Sequence, residues 1–141
     1  MLASFFAVLF FYLGALNALL AGNAGTCTQS DSSELAGAVF SVILYLVAGY
    51  SLSRARFFKT ALMLLVPVVP VLVWQCILAI KLADGIFRQG LSACDSKHWH
   101  IEGGYGPDGN ETFYAILWLT LAIVGVAVPF FVARRRLHQS R

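Results

Sequence analysis

Three cysteines and three histidines carry most of the reactive chemistry in this chain. Cys27 and Cys94 stand in separate hydrophilic segments, while Cys76 lies inside an apolar run. In an oxidising compartment a Cys27–Cys94 disulfide would pin the two hydrophilic segments together and restrict the longer one. This is the expected pairing. Pairing through Cys76, or reduced cysteines packed among helices, are the alternatives that spacing leaves open. Cys94, His98 and His100 form a Cys-x3-His-x-His cluster with Asp95 and Glu102 nearby. Such soft and borderline ligands suit copper or zinc. The segment is glycine-rich and Cys94 is expected to be oxidised, so these residues rank only as metal candidates and no cofactor is expected. His-Trp-His reads better as a contact patch, which makes Trp99, His100 and Tyr105 the candidate partner-binding residues.

Other chemistries are disfavoured by missing groups. Four-helix enzymes that pass electrons between disulfides and quinone carry a Cys-x-x-Cys pair, and this chain has none. Proton relays, ion-coupled sites and voltage sensors place ionisable groups deep in membrane helices. No Asp, Glu, Lys, Arg or His lies inside the long apolar runs. Small multidrug exporters depend on such a glutamate, and membrane b-type cytochromes on helix histidines. Claudin-like proteins have a tryptophan and a close cysteine pair in the first outer loop, where this chain has one cysteine and no tryptophan. An enzyme is not expected.

The elements that must position these residues are membrane spans. The chain has 141 residues, 59% hydrophobic and 12% charged, against about 25% charged in soluble domains. Runs of roughly 18 or more apolar residues read as spans. Four fit, at about 2–22, 35–52, 61–80 (with a helical extension to about 88) and 113–133. They leave no room for a separate soluble domain, so residues 1–141 are expected to form a single four-helix transmembrane bundle, all-α, with a short first and a longer second outer loop. Leu19–Gly25 resembles a signal-cleavage region, yet no Lys or Arg precedes the apolar run and that run is long for a signal peptide. A retained first helix is expected.

Charge assigns the faces. All seven acids lie in the gaps around Asp31–Glu34 and Asp84–Glu111. Arg54, Arg56 and Lys59, and the tail with Arg134, Arg135, Arg136 and Arg141, are free of acids. Basic loops stay cytoplasmic, so the middle loop and both termini are expected inside a plasma or bacterial inner membrane. Arg54, Arg56, Lys59 and Arg134–Arg136 are the candidate lipid-headgroup residues, since juxtamembrane basic clusters anchor to anionic lipid. No nucleic-acid partner is expected.

Within the spans, Gly14, Ala18 and Gly22 share one helix face, where another backbone can approach closely, and Asn17 is placed to hydrogen-bond between helices. Asp31-Ser32-Ser33-Glu34 reads as a helix start with a reciprocal acid. Pro67 and Pro70 predict a kink in the inner half of the third span, and Gly90 predicts its stop. The tight Ser53–Thr60 turn predicts that the second and third helices are neighbours. Tyr114 and Trp118 suit the outer aromatic belt, and Asn110-Glu111-Thr112, although it matches a glycosylation acceptor, reads as the start of the last helix.

The expected function is that of a non-enzymatic integral membrane binding protein. It would act through the outer loop as an accessory subunit of a membrane complex, or as an immunity-type protein. The expected partners are the lipid bilayer and another membrane protein or a second copy. The alternatives are a small oligomeric transporter or channel for a neutral solute, using Asn17, Gln75 and the prolines, and an outer-face copper or zinc protein.

Overall fold

The computed structural model describes residues 2–24, 32–97 and 109–139. Its elements are α1 (Leu2–Ala24), α2 (Ser32–Ser53), α3 (Phe58–Leu64), a 3-10 turn (Val66–Val68), α4 (Val69–Gln89), α5 (Ala93–Lys97) and α6 (Glu111–Gln139). No strand occurs among the described residues. Four stretches are long and apolar enough to cross a membrane: Leu2–Asn23, Glu34–Ser53, Phe58–Gln89 and Glu111–Arg136. At about 1.5 Å per residue, even the shortest reaches about 30 Å, the thickness of a hydrocarbon core.

Many alanines are buried and many large apolar side chains face outward, although Trp118, Tyr45 and Phe11 are buried too. Ala7, Ala15, Ala18, Ala38, Ala48, Ala79 and Ala122 are buried, whereas Leu2, Leu20, Phe40, Ile80, Ile123 and Phe130 face outward. Between helices in lipid, association comes from close packing over small residues, because hydrocarbon already solvates the large ones.

α1 packs along α2, α2 along α6, and α6 along α4, while α1 touches α3 and α4 only lightly. The second and third spans are therefore not the neighbours that the tight turn implied. The chain crosses the end of the bundle, and α6 lies between α2 and α4. A short connection limits distance at one end only; small residues decide which helices pack. Gly49 faces Val128 so closely that a Cβ would overlap it, and Gly125 admits the Tyr45 ring and Leu72. Both glycines favour α6 as the neighbour of α2.

The third span is interrupted where the prolines stand, α3 giving way to the 3-10 turn before α4. Pro67 and Pro70 have no N–H to give to the turn before them. The Val68 amide bonds to Leu65 O at 3.0 Å in the 3-10 turn, which releases the Leu64 carbonyl. Tyr12 of α1 donates its hydroxyl to that oxygen at 2.9 Å. Gly90 ends α4 in the left-handed conformation, with φ of 65°, a common helix stop, and the Gly90 and Leu91 amides both return to Gly85 O, the latter at 3.0 Å.

Tyr114 and Trp118 do not form an outer belt. Both are buried in the bundle. Trp118 meets Trp74 edge-to-face at 6.4 Å between ring centroids, beside the space left by Gly22. The last helix also runs six residues beyond its expected end, through Gln139. Apolarity stops at Ala133, but arginine and glutamine are good helix formers, so the helix continues into the basic tail.

Candidate functional site

The two ends of the bundle differ in chemistry. At one end lie the start of α1, the turn after α2 and the end of α6: Ser4 Oγ accepts from the Phe57 amide at 3.4 Å, and Arg136 donates to the carbonyls of Ser53 and Ala55. Every described charged residue there is basic, with Arg54, Arg56, Lys59, Arg134, Arg135 and Arg136 together. The Arg54 guanidinium lies 5.2 Å over the Tyr50 ring, a cation–π contact. A crevice of about 810 Å³ opens between Ser53 and the last two turns of α6, lined by Phe131, Val132, Arg134, Arg135, Arg136 and His138.

At the opposite end, α5 forms a platform. Ser92 accepts the Asp95 amide at 3.1 Å, a side-chain N-cap, and donates its hydroxyl to Asp95 Oδ2 at 2.9 Å. Ser96 packs on Gly85, where a Cβ would overlap it, so α5 lies directly on the α4 backbone. Lys97 Nζ reaches Glu34 Oε2 of α2 at 3.1 Å, with both side chains more than nine-tenths buried. Nζ has no directed hydrogen bond, so the contact is a close ion pair. Across the gap, the Gly109 amide donates to Glu111 Oε2 at 2.9 Å at the start of α6. On the flank of α4, Arg88 pairs with Asp84 at 2.9 Å in the open.

Compared with family models, curated proteins and solved structures, this chain matches none. The site must be read from its own residues.

Cys27, His98, Trp99, His100 and Tyr105 lie outside the described residues, as do Asp31 and Glu102. Cys94 sits on α5, and Cys76 is the free cysteine among the described residues. It lines an apolar groove of about 430 Å³ between α4 and α6. Gly14, Ala18 and Gly22 are buried within the chain: Gly14 admits Tyr45 and Leu44, and Gly22 admits Trp74, Leu78 and Trp118. Asn17 donates to Gly37 O at 2.6 Å and to Ser41 Oγ at 2.8 Å. Gly37 makes that reach possible, since a Cβ there would stand 2.6 Å from that of Ala21.

Several of these contacts have no counterpart in the sequence reading. The Lys97–Glu34 pair joins residues far apart in the chain, and no local pattern announces it. Ser92-Ala93-Cys94-Asp95, in contrast, is a Ser-x-x-Asp start signal that would have placed α5. In the bundle centre, Gln75 Nε2 donates to the Tyr45 hydroxyl at 2.8 Å and the hydroxyl faces Oε1 at 3.2 Å. Both residues are fully buried. This pair bridges α2 and α4 diagonally. Asn17 with Ser41, and Tyr45 with Gln75, satisfy one another within the chain, whereas the buried Trp118 indole N–H has no partner among the described residues.

Proposed function

We propose that this chain is a non-enzymatic integral membrane binding protein that engages another membrane protein through the segment between Lys97 and Gly109. It would act as an accessory subunit or as an immunity-type interceptor. The observation that carries this reading is the buried Lys97–Glu34 ion pair. It ties the root of that segment to α2, while Glu111 holds the other root. Contact residues on a fixed platform lose less freedom on binding than contact residues on a free tether. Trp99, His100 and Tyr105 lie between these roots in sequence, and two are aromatic types that dominate interface energetics.

Cys94 on α5 is proposed to bridge to Cys27 and so tie the platform also to the α1–α2 connection. The basic end is proposed to face the cytoplasm, with the platform outside. The competing neutral-solute transporter draws on Asn17 and Gln75, whose amides are already engaged in the structure.

The test is site-directed photocrosslinking in the native membrane, with a probe at Trp99 and a control probe at the lipid-facing Ile123. A discrete adduct from a probe at Trp99, lost in His100→Ala/Tyr105→Ala while the thermal midpoint is unchanged, supports the proposal. No adduct from the loop, an adduct that survives both substitutions, or solute flux in proteoliposomes that is abolished by Gln75→Leu, would overturn it.

A further inference from the structure

The geometry points to a discrete binding site for the phosphate group of an anionic phospholipid, in the crevice between the end of α2 and the end of α6. Six cations gather at this end, and none pairs with a carboxylate among the described residues. Two helix C-termini meet here, but so do the N-termini of α1 and α3, and their half charges of opposite sign cancel. Arg136 is already engaged, because its guanidinium is held by the carbonyls of Ser53 and Ala55. Arg134 and Arg135 line the crevice together with His138 and the apolar Phe131 and Val132.

The crevice, at about 810 Å³, falls within the range of about 300–1,000 Å³ typical of small-ligand sites. Phosphate could reach it from free solution or from a lipid headgroup. The apolar lining decides for the lipid. Phe131 is exposed, and Phe130 beside it faces outward too, so the apolar surface continues from the crevice down the span. A headgroup held by Arg134 and Arg135 would lay its first acyl methylenes along that surface, whereas inorganic phosphate would leave it wet. The site does not depend on the Lys97–Gly109 segment and can fail or stand without it.

The experiment is native mass spectrometry of the full chain released from mixed phosphatidylcholine–phosphatidylglycerol nanodiscs. Retention of phosphatidylglycerol over phosphatidylcholine is expected. A direct charge-assisted hydrogen bond from an arginine to phosphate is worth roughly tenfold in affinity, so Arg134→Gln/Arg135→Gln should reduce retention at least tenfold. Arg54→Gln/Arg56→Gln, which removes the same charge outside the crevice, should leave most of it. Equal losses in the two double variants would mean a diffuse charge effect and overturn the site. Competition by millimolar inorganic phosphate as effective as that by phosphatidylglycerol would overturn the lipid as its ligand. Single variants Arg135→Gln and His138→Gln, which leave the Arg136 contacts intact, give a graded reading if the double variant does not fold.

Discussion

At the residue scale, the interior shows how few polar groups a membrane bundle can hold and how it holds them. Gln75 and Tyr45 face each other in a fully buried pair. Replacing one leaves the other without a partner, at a cost of about 1–3 kcal/mol. Gln75→Leu is therefore expected to destabilise the chain by about that much in detergent unfolding. Adding Tyr45→Phe should recover part of the loss, with a coupling near the roughly 0.6–1.7 kcal/mol measured for interhelical hydrogen bonds in membranes. Additive losses would show that the two groups do not act as a pair. Glycine has a different part. Gly49 leaves space that Val128 fills, so Gly49→Val should cost about 1–3 kcal/mol as overpacking and loosen α2 from α6. Periodicity alone marks Gly14, Ala18 and Gly22 as one face; it does not say that Gly22 faces two tryptophans.

At the scale of elements, the third span is a helix mended by its neighbour. Tyr12 supplies the hydrogen bond that the 3-10 turn withholds from Leu64. Tyr12→Phe should lower stability by about 1 kcal/mol in the native background and by less in Pro67→Ala/Pro70→Ala, where a regular helix satisfies its own carbonyls. Equal losses in both backgrounds would disconnect Tyr12 from the interruption. α5 gives a sharper case. Lys97→Met leaves Glu34 buried without its cation, and breaking such a pair costs about 3–5 kcal/mol. The double variant Lys97→Met/Glu34→Gln should be clearly milder, and protection of the α5 amides from hydrogen exchange should fall in the single variant and return in part in the double. The four spans and the stop at Gly90 follow from composition and local rules, because apolar length and helix caps are written in neighbouring residues. The ring order of the helices and the seating of α5 do not, because each depends on which small residues meet across the bundle.

For the whole molecule, charge separates the two ends more cleanly than any other property. Lys and Arg near span ends set orientation. Reversing the bias, with Arg54, Arg56 and Lys59 changed to Gln and a Lys pair placed beside Glu34, should move a carboxy-terminal reporter to the other face in part of the population. A single unchanged orientation would show that packing outweighs charge. The same ends were visible in the sequence as acid-free and acid-rich segments, but the crevice at the basic end was not, since it forms only where the α6 tail lies against the end of α2. The position of α6 between α2 and α4 has a consequence for synthesis. α6 fills the slot between two spans made before it, and those two make almost no backbone contact with each other. Until α6 arrives, the Tyr45–Gln75 bridge must hold its ends across an open, lipid-filled gap. A nascent chain stalled after Lys97 should thus be readily degraded, and supplying residues 109–141 as a separate peptide should rescue it.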